Sequence, residues 1–167
     1  CFAGDDEIAL FYFSGHGQID ACGGYIVTPD YAPMDWGISM QDILNYANNS
    51  KCQNKVIILD CCHAGSVGAI NTLGQQTAII NEGVTILTAS SFDEAAAEIN
   101  GHGVFTELLT EALKGGAADI TGNISPGSIY AYIDRALGPW EQRPVFKTNV
   151  KRFISLRTVI APIDINI

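Results

Sequence analysis

Two apolar runs in this sequence stop abruptly at reactive side chains. Phe11-Tyr12-Phe13-Ser14-Gly15 leads into His16 and Gly17, and Ile57-Ile58-Leu59-Asp60 leads into Cys61, Cys62 and His63. A thiol becomes a strong nucleophile at neutral pH when a base stands beside it. Two neighbouring strands of one sheet, one ending in a histidine and the other in a cysteine, would supply such a pair.

The elements that must position these groups are legible in the pattern. Ile8–Phe13, Val56–Leu59 and Val84–Thr88 are short, non-alternating runs rich in β-branched and aromatic residues, which predicts strands covered on both faces. Tyr25–Thr28 is a shorter candidate, closed by Pro29. Ser39 reads as an N-cap for a helix over Met40–Ala47, with Ile43, Leu44 and Ala47 on one face. A second helical pattern covers Val104–Leu113 and stops at Gly115-Gly116. A third opens at Ser125, has Pro126 at its first position and runs to about Leu137, before Gly138-Pro139. A last strand is expected over Arg152–Leu156. Gly65–Gly83 reads as a short helix after Cys62 followed by a loop. Alternating strands and helices argue for an α/β domain around a mainly parallel sheet.

In such sheets ligands bind outside the carboxyl ends of the strands, the rim where His16 and Cys62 are expected. Gly15 and Gly17 would let the backbone turn sharply and let a substrate approach. The N–H groups of Gly17 and Cys62 are candidates for an oxyanion hole, in which each donor lowers the barrier by about 2.7–4 kcal/mol.

Phe13-Ser14-Gly15-His16-Gly17 and Asp60-Cys61-Cys62-His63-Ala64-Gly65 resemble the two active-site motifs of the caspase-like cysteine peptidases, above all those of metacaspases and their bacterial relatives. Further segments agree: Gly24–Asp30, Ile38-Ser39-Met40, Leu87–Ser91 through Glu98, Gly103-Val104-Phe105-Thr106, and Gln142-Arg143-Pro144-Val145-Phe146. The likeness runs from about residue 8 to about residue 157. It implies the caspase-haemoglobinase fold, an α/β three-layer sandwich with a mainly parallel central sheet, and a cysteine endopeptidase activity. By position, His16 is the general base and acid, Cys62 the nucleophile, and Ser14 and Asp60 line the S1 pocket. An acidic side chain there favours a cationic P1 residue through charge-assisted hydrogen bonds, so the resemblance implies cleavage after Arg or Lys.

Each assignment has a rival. Cys61 adjoins Cys62, but the two thiols of a strand end face opposite ways, and the family pattern puts the nucleophile directly before His63. His63 adjoins the nucleophile too closely for good geometry, and His102 precedes a helix, so both read as local or loop residues. Asp60 has a rival reading as a buried, hydrogen-bonded carboxylate at a strand end. A zinc site from His16, Cys61, Cys62 and His63 has poor bite geometry, because adjacent cysteines rarely serve one ion. Asp20, Asp30 and Asp35 are weak calcium candidates suggested by the family, since they lack the spacing of a calcium loop. No cofactor is otherwise required. The alternative function is a catalytically silent caspase-like module used for protein interaction or regulation.

Bulk properties narrow the field. The chain has 167 residues, 47% hydrophobic, and a formal net charge of −9, which suits a single globular domain over 1–167. Its one basic cluster, Lys147, Lys151, Arg152 and Arg157, reads as a solvated strand edge, so nucleic acid is not an expected partner. No apolar run is long enough to span a bilayer. Five cysteines without a CxxC pair do not make a disulfide framework, and a reducing cytoplasmic setting is expected. The chain starts at Cys1, just before the histidine-bearing strand. N-terminal elements usual in the family are therefore expected on another polypeptide or lost, the latter leaving a bare sheet edge. No Lys or Arg lies between Lys55 and Lys114, and no Asp between Asp60 and Asp93. The segment Gly65–Gly83 therefore offers no site for self-cleavage after a basic residue or after Asp. Activation is expected from a partner, a ligand or cleavage elsewhere.

Overall fold

The computed structural model describes residues 1–33, 35–61, 70–72, 75–77, 79–89, 98–99, 102–138 and 143–161. Three apolar runs form the parallel heart of the sheet: β1 (Ile8–Ser14), then β5 (Asn54–Asp60) and β8 (Val84–Thr88). Between β1 and β5 lie β2 (Gly17–Asp20), β3 (Gly23–Ala32), β4 (Asp35–Ser39) and helix α1 (Met40–Asn49). The remaining elements are β6 (Ile70–Thr72), β7 (Gln75–Thr77), β9 (Glu98–Ile99), β10 (His102–Gly103), α2 (Val104–Glu111), β11 (Asn123–Ile124), α3 (Pro126–Leu137), β12 (Val145–Asn149) and β13 (Arg157–Thr158).

The central sheet has four strands in the order β1-β5-β8-β12. β1, β5 and β8 are parallel, and β12 closes one edge antiparallel to β8. β5 is buried along nearly its whole length and sends alternate side chains to two cores, as the strand period of two requires. Ile57 and Leu59 join Met40, Ile43, Leu44 and Ala47 of α1. Val56 and Ile58 join Phe105 and Leu109 of α2 and Ile129, Ile133 and Leu137 of α3. Helices thus cover both faces, the expected three layers.

The caps follow the sequence reading. The Ser39 hydroxyl accepts from the N–H groups of Gln41 and Asp42, and Ser125 and Ser128 form a reciprocal capping box with Pro126 inside it.

Several expectations need correction. The strand expected to end before Pro29 continues to Ala32, because the β3–β4 register shifts between Val27 and Ala32, and a proline is tolerated where the ladder is irregular. α2 ends at Glu111 and widens into a π-type turn over Ala112–Gly116, closed by Gly115 at φ 133°. The final sheet strand is Val145–Asn149 rather than Arg152–Leu156. Phe146 stacks on Tyr130 of α3 with ring centroids 5.1 Å apart, and Lys147 is half-buried beside Ile86, so burial pushes its pKa down. Part of the segment expected to be loop after Cys62 is a hairpin, since β6 and β7 pair antiparallel. The short helix expected just after Cys62 lies outside the described residues. The β2-β3-β4 sheet exceeds the single strand expected in that region.

Among the described residues no strand pairs with the outer edge of β1, where Leu10 and Tyr12 are 44% and 43% exposed. The Cys1 thiol donates to the Leu10 carbonyl there, at 3.2 Å. No described helix is long and apolar enough to cross a membrane.

Candidate active site

The site sits on the rim where β1 and β5 end together. Their parallel register runs from Ile8 opposite Asn54 to Ser14 opposite Asp60. Facing residues in such a ladder point to the same side, so Ser14 and Asp60 share one face, that of α2 and α3. Ser14 is exposed and Asp60 is 4% exposed.

The backbone holds the histidine turn from both sides. Gly15 donates its N–H to the Asp60 carbonyl at 3.0 Å, and the His16 carbonyl accepts from the Val27 N–H at 2.9 Å. The His16 side chain is exposed. The bond from Val27 to His16 brackets the opposed pair Gly17 and Ile26. That pair is consequently the non-hydrogen-bonded kind, and the Gly17 N–H points away from β3. Gly15 does more than permit a turn: a Cβ there would lie 2.9 Å from the Phe13 ring, and Phe13 packs against the α1 core.

Cys61 is 0% exposed and belongs to the α1 core, so no substrate reaches its thiol. Cys62 and His63, the other candidates that follow β5 in sequence, lie outside the described residues. His102, expected in a loop, falls in β10, whose two residues pair with β9.

Asp60 leans on the N-terminal end of α2. Its Oδ2 accepts from the Thr106 hydroxyl at 2.5 Å, and a Cβ at Gly103 would stand 2.6 Å from the same oxygen. The positive end of the helix dipole favours a carboxylate at this place. Among the described residues, none is recorded as a hydrogen-bond donor to Oδ1. Among the described residues, no buried side-chain oxygen or nitrogen lacks a partner.

The three calcium candidates are dispersed in role. Asp20 holds the β2–β3 turn: Oδ1 accepts from the N–H groups of Cys22 and Gly23 at 2.7 and 3.2 Å, and Oδ2 from the Trp36 indole at 3.2 Å. Asp30 is exposed, and the Thr28 hydroxyl lowers its pKa. Asp35 is exposed at the start of β4. Among the described residues no three His, Cys, Asp or Glu side chains gather in a metal-holding group. Cys1, Cys22, Cys52 and Cys61 are not joined in disulfides.

Sequence reasoning passed over Tyr12 and missed the role of Thr106. The signal for the second was a glycine three positions before a threonine at the start of a helix, which brings a hydroxyl close to whatever the glycine accommodates.

A mainly parallel sheet with helices on both faces, carrying a His-Gly turn beside a strand that ends at Asp60 and is followed in sequence by two cysteines, defines a caspase-type domain. The sequence model of the caspase domain matches residues 3–153, and the chain belongs to that family, whose members are cysteine peptidases. No curated protein matches the chain. Among solved structures, caspase-1 from Spodoptera frugiperda superposes with a TM-score of 0.55 at 14% identity, over 88% of this chain. The likeness is one of fold, and the chain spans 63% of the length of that caspase.

Proposed function

We propose that this domain is the catalytic part of a metacaspase-like cysteine endopeptidase that cleaves after Arg or Lys, with His16 and Cys62 as its dyad. The observation that carries the reading is the common end of β1 and β5. It brings the His16 turn next to the strand that leads into Cys62, while the competing thiol of Cys61 is withdrawn into the core.

His16 takes the proton of the Cys62 thiol, and the thiolate attacks the scissile carbonyl. The negative oxygen that forms is held by the N–H groups of Gly17 and Cys62. The direction of the Gly17 N–H, away from its neighbouring strand, supports this role. His16 then gives its proton to the departing amine, and water, deprotonated by His16, releases the acyl group from sulfur. The P1 cation meets Oδ1 of Asp60, with Ser14 beside it on the same face. This chemistry needs no cofactor.

The test is an active-site thiol probe on the full-length protein, combined with peptides bearing Arg, Lys or Asp at P1. Labelling at Cys62 that disappears with His16→Ala, and turnover of the Arg and Lys peptides alone, are the expected results. Turnover of the Asp peptide instead would refute the basic preference.

The second reading, a silent interaction module, draws support from the open edge of β1, where exposed Leu10 and Tyr12 suit a partner surface. A Cys62 thiol no more reactive than free cysteine, with no peptide cleaved, would favour it.

A further inference from the structure

We infer that Thr106 and Tyr12 form a hydroxyl relay that aims Asp60 at the basic P1 side chain, making Thr106 a positioning residue for substrate specificity. The inference rests on the basic-P1 reading of Asp60 given above.

The relay has a defined direction. A carboxylate only accepts hydrogen bonds, and a threonine hydroxyl has one proton to give. Thr106 gives that proton to Asp60 Oδ2 at 2.5 Å. Tyr12, whose oxygen lies 2.7 Å from Thr106 Oγ1, must then be the donor to Thr106. The chain therefore runs from the Tyr12 hydroxyl to Thr106 and on to Asp60 Oδ2. It joins three elements, β1, α2 and β5, that only the fold brings together.

The consequence lies in which oxygen is left. With Oδ2 held by Thr106 and pressed against Gly103, where a Cβ would come within 2.6 Å, the carboxylate cannot rotate freely. Oδ1 is then presented in one orientation, on the face it shares with Ser14. A preorganised acceptor binds a guanidinium or ammonium group without first being ordered, so the ordering cost falls on folding rather than on substrate binding. The side-chain bonds of Thr106 go to Asp60 and Tyr12, so its effect should appear in P1 binding and not in thiol chemistry.

The experiment compares wild type, Thr106→Val, Thr106→Ser and Tyr12→Phe in the full-length protein. Steady-state kinetics use peptides with Arg or Lys at P1, and the rate of Cys62 alkylation is measured in parallel. Binding of agmatine to the Cys62→Ala form is followed by calorimetry. Thr106→Val removes a hydrogen bond to a charged group, and KM for both peptides, together with the agmatine Kd, should rise about tenfold to a hundredfold. The alkylation rate should stay unchanged, Thr106→Ser should restore binding, and Tyr12→Phe should have a smaller effect of the same kind. If wild type binds and cleaves basic substrates while Thr106→Val leaves KM and Kd within about twofold, the relay is refuted and the basic-P1 reading survives. A parallel fall in alkylation rate would likewise refute it, because the role would then be general support of the site. If wild type neither cleaves these peptides nor binds agmatine, the basic-P1 reading fails and takes the relay with it.

Discussion

The Gly15 amide donates to the Asp60 carbonyl at 3.0 Å, one step beyond the last paired residues of the β1–β5 ladder. The start of the histidine turn and the end of the strand that leads into Cys62 are thereby one hydrogen-bonded unit. Displacement on one side is transmitted to the other, which makes the rim sensitive to small additions of volume.

Gly15→Ala tests that sensitivity. The new methyl would meet the Phe13 ring at 2.9 Å, and the ring has little room against the α1 core. A loss of about 1–3 kcal/mol in stability is expected from such overpacking, together with a fall in kcat as His16 is displaced. Denaturant unfolding and steady-state kinetics measure the two effects.

Gly103→Ala presses on the carboxylate of Asp60 instead. The methyl would lie 2.6 Å from Oδ2, in the space that the Thr106 bond requires. The expected outcome is a raised KM for basic P1 peptides, at a stability cost of about 1–3 kcal/mol. An unchanged KM would mean that Asp60 does not face the substrate.

Asp60→Ala should abolish the preference for Arg and Lys at P1 while leaving Cys62 able to react with a small alkylating agent. A peptide-library profile of the variant against wild type reads this directly. A retained basic preference would assign Asp60 a purely structural role.

Incubation of the active protein should leave residues 65–83 uncut, since that stretch holds no Lys, Arg or Asp. Intact-mass measurement after incubation checks this, and two fragments dividing there would contradict it.

The turn before β11 gives a prediction about pH. The Asp119 carboxylate accepts from the Thr121 hydroxyl at 2.7 Å and from the N–H groups of Thr121 and Asn123 at 2.8 and 3.0 Å, and these bonds lower its pKa below the ordinary 3.8. A carboxylate depressed in the fold stabilises it above the ordinary value, and that contribution disappears as pH falls through the lowered one. The stability difference between wild type and Asp119→Asn should therefore be largest near neutrality and shrink below pH 3.8, as followed by urea titration at several pH values.

Local features were legible from the residues alone. Apolar runs marked β1, β5 and β8, and Ser39 and Ser125 marked two helix starts, because strand burial and helix capping depend on near neighbours. The end of the sheet was less legible. Arg152–Leu156 has strand-like residues, but Val145–Asn149 takes the edge because Phe146 finds Tyr130 on a helix that precedes it in the chain. Pro29 misled in the same way, since a bulge opposite β4 tolerates it.

For the site, the division is one of chemistry against orientation. Residue types alone showed which reactive groups exist, that a histidine and a cysteine each follow an apolar strand, and that the segment after the cysteine lacks cleavable residues. These are matters of residue type and short-range pattern. The expectation that β1 is covered on both faces fails, since Leu10, Tyr12 and Ser14 are exposed. The folded chain was needed to show that Cys61 faces the core, that Ser14 stands level with Asp60, that the Gly17 N–H is turned away from its neighbour, and that a threonine from a distant helix holds one oxygen of Asp60. Those relationships depend on strand register and on packing between residues far apart in the chain. A shift of one position in register would reverse the face of every side chain.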